Sequence, residues 1–256
     1  MNRIQQLFTQ KKENILSVYF TAGFPKLEDT VRILENLQKY GVDMAEIGIP
    51  FSDPLADGPV IQNSSQIALQ NGMNLKKLFS QLSAVRTSVH IPLVMMGYLN
   101  PIMQFGFENF CIECKNVGID GMIIPDLPMD DYLSEYREIV ERNSLEFIFL
   151  ITPETSEERI RQIDKQTHGF IYMVSSAGVT GTQNSFDQHA DYFNRINSMH
   201  LKNPRLIGFG ISNKSTLETA SRYSSGVIIG SAFINALQET TDVESAVKLL
   251  IKKLEK

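Results

Sequence analysis

Short apolar runs alternate with longer amphipathic stretches along the whole chain. Each run is rich in β-branched and large apolar side chains and ends in turn residues, which is typical of buried strands. Eight strands are predicted, over Leu16–Thr21, Asp43–Gly48, Ile91–Met96, Gly121–Pro125, Glu146–Thr152, Gly169–Ser175, Arg205–Gly208 and Gly226–Gly230. Helices are predicted over Leu27–Tyr40, Val60–Gln70, Leu75–Ser88, Phe105–Val117, Asp130–Arg142, Ser156–Gln166, Asp187–Met199, Lys214–Tyr223, Ser231–Leu237 and Asp242–Leu254.

Regular alternation of strand and helix requires parallel pairing through crossover helices. Eight such units within 256 residues fit a closed (β/α)8 TIM barrel better than an open sheet. No linker or shift of composition marks a boundary, so we expect residues 1–256 to form a single TIM-barrel domain with short extra helices.

Charge and composition narrow the function classes. The net charge is −5 and the basic residues are scattered, which argues against sequence-independent binding to nucleic acid. The N-terminal residues lack the apolar core of a signal peptide, and the longest apolar stretch, around residues 91–99, is too short to span a bilayer. With only two cysteines there is no disulfide framework, and we expect a cytoplasmic protein.

Glu46 lies inside the second predicted strand, where an ionised carboxylate would lose its hydration at a cost of several kcal/mol. Side chains alternate along a strand, so Glu46 shares a face with Met44 and Gly48, while Ala45 and Ile47 point toward covering helices. A buried acid on the inner face, near the carboxyl end of a barrel strand, is therefore a candidate catalytic group.

Glycines follow the seventh and eighth predicted strands, at Gly208, Gly210 and Gly230. Ser231 begins a short predicted helix, whose free N–H groups favour an anion, so these residues together predict a phosphate site. Each glycine alone could equally serve a tight turn. Gly208-x-Gly210 also resembles the start of a dinucleotide fingerprint, but position 213 is Asn and the element lies late in the chain.

The loop after the sixth predicted strand mixes glycine with small polar residues and fits either a mobile lid or a plain surface loop.

Cys111 and Cys114 form a C-x-x-C inside a helical pattern, with no second pair and no suitably spaced histidine. This favours ordinary packing over a metal or redox site.

Residues 46–59, with the sequence EIGIPFSDPLADGP, resemble the second strand and following loop of the tryptophan synthase alpha subunit family. Further matches occur in order over nearly the whole chain: TAGFP at 21–25, GVTG at 178–181, GFGIS at 208–212 and GSA at 230–232. The resemblance implies a TIM-barrel lyase that cleaves indole-3-glycerol phosphate to indole and glyceraldehyde 3-phosphate, without a cofactor in this subunit.

By the same resemblance, Glu46 and Asp57 match the two catalytic carboxylates of the family. We expect Glu46 to transfer the protons, and Asp57 to bind the indole N–H and stabilise the positive charge that develops on the ring. Substrate-binding roles are implied for Tyr172, Thr180, Gly181, Gly210, Gly230 and Ser231.

The resemblance also implies a partner, the beta subunit of tryptophan synthase, in an α2β2 heterotetramer. Its docking surface is expected to include Asp53, Pro54, Asn100 and Pro128. This chain departs from the family pattern at Phe24 and at Ser176-Ala177, which touch the interface and loop closure.

Two other readings of the sequence stay open. One is a different phosphosugar-processing barrel enzyme, such as an isomerase or indoleglycerol phosphate synthase, although neither a paired Lys or His base nor a strand-end lysine is found. The other is a barrel that has lost turnover and serves only as an activator subunit.

Overall fold

Parallel strands alternate with helices in the computed structural model, which describes residues 2–174, 190–208 and 210–255. Over these residues nine strand segments, labelled β1 to β9 in chain order, span Ile15–Thr21, Met44–Gly48, Leu93–Met96, Gly121–Ile123, Glu146–Phe147, Leu150–Ile151, Ile171–Val174, Arg205–Gly208 and Gly226–Ile229. All neighbouring strands pair in parallel, in the order β5-β4-β3-β2-β1-β9-β8-β7-β6. The predicted parallel arrangement is confirmed.

The sheet closes on itself through the short segment that contains β5 and β6. These two strands stand at opposite ends of the strand order but are separated in sequence by only Ile148 and Phe149. The Ile148 N–H donates to the Met122 carbonyl at 2.9 Å, and the Phe149 carbonyl accepts from the Tyr172 N–H at 2.9 Å. One segment therefore bonds both ends of the sheet, and β5 and β6 are halves of the predicted fifth barrel strand. The TIM barrel is confirmed.

Helices cover the outside of the sheet. In the described part of the chain they span Arg3–Gln10, Asp29–Lys39, Pro59–Gln70, Leu75–Leu82, Leu99–Phe105, Phe107–Asn116, Met129–Asp131, Arg137–Arg142, Glu157–Gln166, Ala190–Ser198, Lys214–Ser221, Ser231–Glu239 and Val243–Glu255, with a 3-10 turn at Val85–Thr87 and a π-helical turn at Tyr132–Tyr136. Some of them begin at a side-chain cap: the Asn74 side chain accepts from the Lys77 N–H at 3.0 Å. No helix within these ranges has the length and apolar character that crossing a membrane requires.

An N-terminal helix that the sequence pattern does not predict closes the amino end of the barrel. Asn2 caps it through a capping box with Gln5. Ile4 is completely buried, and the Phe8 ring packs on Phe170 with centroids 5.6 Å apart. Arg3 adds an ion pair to Asp120 at 3.0 Å. The helix thus acts as a plug under the barrel interior.

Two apolar layers result from the alternation of side chains along the strands. The inner layer, enclosed by the barrel, contains Met44, Val94, Ile148, Leu206 and Ile228. The outer layer, between sheet and helices, contains the alternate residues of the same strands, for example β2 Ala45 and Ile47. The face predicted for each residue of β2 is therefore correct, and Glu46 faces the inner layer.

Candidate active site

Glu46 is a carboxylic acid buried inside the barrel, with no ion-pair partner among the described residues. Its exposed fraction is 0%. Oε1 accepts a hydrogen bond from the Ser17 hydroxyl at 2.9 Å, whereas Oε2 has no partner among the described residues. The pKa of Glu46 is raised to about 8, because burial raises it by more than the Ser17 hydrogen bond lowers it. The carboxyl is therefore mostly protonated at neutral pH.

Asp57 lies in the loop after β2 and is the second acid of the site. It is partly exposed. Burial raises the pKa of Asp57 to about 6, while a hydrogen bond from the Tyr98 hydroxyl lowers it. The same hydroxyl accepts from the Ala56 N–H at 3.0 Å, so Tyr98 holds both the loop backbone and the carboxylate. Asp57 is mostly ionised at neutral pH, in contrast to Glu46.

A cavity of about 240 Å³ opens at the carboxyl ends of the strands and gathers most of the predicted site. It is lined by Tyr19, Asp57, Ile61, Met96, Tyr172, Gly210, Ile211, Ser212, Ile228, Gly230, Ser231, Ala232 and Asn235. Apolar side chains and tyrosine rings suit a flat aromatic group, and the glycines with Ser231 suit a polar group. Glu46 does not line this cavity. In the strand register Glu46 lies opposite Tyr19, which lines the cavity, so the acid is next to the cavity wall.

The residues that the sequence predicts to bind phosphate, Gly210, Gly230 and Ser231, lie together in the cavity lining. Gly210 has φ +77°, a left-handed conformation in which side chains are strained. Gly230 caps the helix Ser231–Glu239, whose first N–H groups have no partner within the helix and carry the positive end of its dipole. The structure thus brings these three predicted residues together with Asp57 and Tyr172.

Glycines on neighbouring strands leave space for the side chains of two tyrosines. A Cβ placed on Gly48 would stand 2.2 Å from the Tyr19 hydroxyl oxygen, and one on Gly208 would stand 2.1 Å from the Tyr172 hydroxyl oxygen. Gly208, which the sequence groups with the phosphate site, therefore makes room for Tyr172. Burial, with the nearby carboxylates, raises the pKa of both tyrosines, so both hydroxyls stay protonated.

Sequence reasoning missed Ser17, Tyr19 and Tyr98. Each reads as an ordinary residue of an apolar strand or loop, because its contact to a carboxylate depends on the pairing of strands. One signal was present: Ser17, Tyr19 and Thr21 alternate on one face of the first strand, and this polar face is unusual for the inside of a barrel.

Other predicted residues are placed as follows. Thr180 and Gly181 lie outside the described residues, as does the rest of the loop after β7. Asp53, Asn100 and Pro128 are exposed, whereas Pro54 is buried within this chain.

Neither sequence nor structure favours a metal or redox role for the two cysteines. Cys111 and Cys114 are both buried and unpaired, and burial raises the pKa of Cys111 to about 12. No metal-binding cluster of His, Cys, Asp or Glu occurs among the described residues.

The fold and the site define a class: a TIM-barrel enzyme with a cavity at the carboxyl ends of the strands, one protonated buried acid and one ionised carboxylate. The family model described as "Tryptophan synthase alpha chain" matches residues 5–256. The chain belongs to the tryptophan synthase alpha chain family.

Individual relatives agree with the family model. The chain is 61% identical over 252 residues to the tryptophan synthase alpha chain of Parabacteroides distasonis, covering 98% of each, and 60% identical over 256 residues to that of Phocaeicola vulgatus, covering 99% of each. Among solved structures, the alpha chain of Legionella pneumophila superposes with a TM-score of 0.87 at 32% identity, over 99% of this chain and 96% of that one. A mutant alpha subunit from Pyrococcus furiosus gives 0.85 at 34% identity, over 96% and 99%.

Proposed function

We propose that Glu46 and Asp57 drive the alpha reaction of tryptophan synthase. The chain is a carbon–carbon lyase of L-tryptophan biosynthesis, which cleaves indole-3-glycerol phosphate to indole and glyceraldehyde 3-phosphate. The observation that supports these roles is that the ionised Asp57 lines the cavity, while the protonated Glu46 lies opposite Tyr19, a residue of the cavity wall.

The chemistry requires one proton to be delivered and one to be recovered. Protonated Glu46 donates its proton to the ring carbon that bears the glycerol phosphate side chain, and the ring becomes a positively charged indolenine. The Asp57 carboxylate accepts the indole N–H hydrogen bond and stabilises that charge. The carbon–carbon bond then breaks, its electron pair returns to the ring, and the Glu46 carboxylate takes the proton of the adjacent side-chain hydroxyl, which becomes the aldehyde. Glu46 is thereby protonated again at the end of the turnover.

The phosphate is proposed to bind at the other end of the cavity. Gly210, Gly230 and Ser231 offer backbone N–H groups and a helix N-terminus, which suit a phosphate without requiring a cationic side chain. Thr180 and Gly181 are proposed, from the family resemblance, to complete the site, with Thr180 orienting Asp57 and Gly181 binding the phosphate.

Release of indole from indole-3-glycerol phosphate by the purified chain tests this function. Turnover that saturates with substrate supports a lyase. A chain that binds the substrate without releasing indole, yet accelerates a beta subunit, would instead be the activator that the sequence leaves open.

The pH dependence follows from the two acids. We expect kcat/KM for indole release to rise through about pH 6, where Asp57 ionises, and to fall through about pH 8, where Glu46 loses the proton that it must donate. A pH series of initial rates at low substrate concentration measures both limbs. Activity that keeps rising above pH 8 would mean that ionised Glu46 is the starting form.

Gly210→Asp is expected to raise KM through repulsion of the phosphate. Gly210→Asn is the matched control, since Asn has the same size and also tolerates positive φ but has no charge. The Asp variant should bind substrate at least about tenfold more weakly than the Asn variant, because like charges in contact cost on the order of a kcal/mol or more. Equal KM values for the two variants would place the phosphate elsewhere.

The beta subunit of tryptophan synthase is the partner of this family, and we propose an α2β2 heterotetramer for this chain. The exposed Asp53, Asn100 and Pro128 are proposed to contribute to the docking surface, together with Leu55, which is 84% exposed at the tip of the loop after β2. Such an exposed leucine beside catalytic Asp57 would link docking to the site. Pro54, being buried, would contribute by shaping this loop.

We propose that the chain works in the cytoplasm. Its two cysteines are buried and unpaired, which suits a reducing compartment.

A further inference from the structure

Glu46 has a single hydrogen-bond partner among the described residues, the hydroxyl of Ser17 on the adjacent strand β1. The Ser17 Oγ lies 2.9 Å from Glu46 Oε1, both residues have an exposed fraction of 0%, and Oε2 is left without a partner. We propose that Ser17 is a positioning residue: it holds Oε1 and leaves Oε2 as the oxygen that exchanges protons with the substrate. This inference rests on the proposed catalytic role of Glu46.

The strand register determines from which side Ser17 approaches. Glu46 lies opposite Tyr19, which lines the cavity, and Ser17 lies two residues nearer the amino end of β1, opposite Met44. Ser17 does not line the cavity. Its hydrogen bond therefore draws Oε1 toward the closed end of the barrel, and the carboxyl group presents its other oxygen toward the substrate side.

A free carboxyl group in this position would have little else to orient it. The inner layer around Glu46 includes the apolar side chains of Met44 and Val94. The ionisable groups that act on the site are Tyr19 from β1, Tyr172 from β7, Asp57 from the loop after β2 and Tyr98 from the loop after β3. The hydrogen bond to Glu46 comes from Ser17.

The Ser17 hydroxyl donates, so it stabilises the ionised form of Glu46 and opposes the effect of burial on its pKa. This matters because Glu46 must both give up a proton and take one back in a single turnover. Without Ser17 the acid would hold its proton more tightly, and the first transfer would slow. Ser17 is thus expected to affect both the orientation and the acidity of Glu46.

Ser17→Ala tests the proposal through the pH profile of indole release. The limb that falls through about pH 8 in the unmodified chain should move up by about one pH unit, because hydrogen bonds to charged groups are among the stronger ones. We expect kcat to fall about tenfold with KM unchanged, because Ser17 lies outside the cavity. Ser17→Cys, which keeps the size and a weak donor, should give a smaller shift in the same direction and covers the case in which the Ala variant does not fold.

Thr167→Val is the matched control for loss of a buried hydroxyl. Thr167 is 1% exposed and donates to the Ile163 carbonyl at 2.8 Å, away from the site. The pH profile of the Thr167→Val variant should fall at the same pH as that of the unmodified chain. The proposal is overturned if the Ser17 variants retain the original limb and kcat, or if Thr167→Val shifts the limb equally. The role of Glu46 is judged separately: loss of turnover in Glu46→Gln with no effect at Ser17 rejects the positioning role alone.

Discussion

Glu46→Gln is expected to lower kcat for indole release by at least about a hundredfold, the low end for removing a general acid–base group. Glutamine keeps the size of the side chain and can still accept from Ser17, but it has no proton to exchange at neutral pH. Steady-state indole release, with circular dichroism to check folding, is the measurement. Turnover close to that of the unmodified chain would overturn the role of Glu46.

Glu146→Gln is the matched control. Glu146 is a partly buried glutamate whose pKa is likewise raised by burial, but its carboxylate accepts from Gln5 at 2.7 Å, at the amino end of the barrel. The substitution should leave turnover unchanged. A similar loss in both variants would point to a general effect on the fold rather than to catalysis.

The same Glu46 substitution is expected to stabilise the fold at neutral pH. The pKa of Glu46 is about 8 in the folded chain and 4.5 ordinarily, so between these values the folded state binds a proton that the unfolded state has lost. Stability therefore falls as pH rises through this window, by up to about 1.4 kcal/mol per pH unit, and the loss is complete above pH 8. The neutral Gln variant does not lose this stability. The difference in Tm between the Gln variant and the unmodified chain should therefore grow from pH 5 to pH 8 and then level off.

Asp57→Asn is expected to lower kcat by about a hundredfold or more, for an electrostatic reason. The amide has nearly the same shape, but its negative charge is gone when positive charge develops on the indole ring, and loss of one such stabilising group costs about that much. The limb that rises through about pH 6 should disappear with it. Initial rates across pH measure both effects.

A suitable control for Asp57 is Asp130→Asn, which neutralises a surface carboxylate paired with Arg159 at 2.9 Å. That variant should keep both turnover and the rising limb. If the Asp57 variant also kept the limb, the group that titrates near pH 6 would be another residue, and Asp57 would be reduced to shaping the loop.

The barrel and its buried acid were predictable because both depend on local pattern. Buried parallel strands show as apolar runs, and an acid within such a run stands out, as Glu46 does. The fifth strand was predicted as one element, and its division at Ile148 and Phe149 arises where the segment changes bonding partners. Sequence could not show that change, since it is a property of closing the sheet.

Elements that depend on three-dimensional contact were missed. The helix Arg3–Gln10 has only eight residues, so the helical spacing of Ile4, Leu7 and Phe8 is a short signal that was overlooked, and Ile4 and Phe8 stabilise the helix by packing into the barrel. The predicted helix from Phe105 is preceded by a separate helix, Leu99–Phe105, and the two are divided at Gly106, whose φ is +92°. Ser17 and Tyr98 became visible only when strand pairing and loop position set them beside the two carboxylates.

The central claim is that Glu46 holds its proton at neutral pH and uses it to break the carbon–carbon bond. Infrared difference spectra of the unmodified chain against Glu46→Gln, recorded across pH, measure that proton directly. We predict a protonated-carboxyl band at pH 7 that disappears with a midpoint near pH 8 and coincides with the falling limb of indole release. A Glu46 carboxylate already ionised at pH 7, or a midpoint unrelated to the loss of activity, would contradict the mechanism.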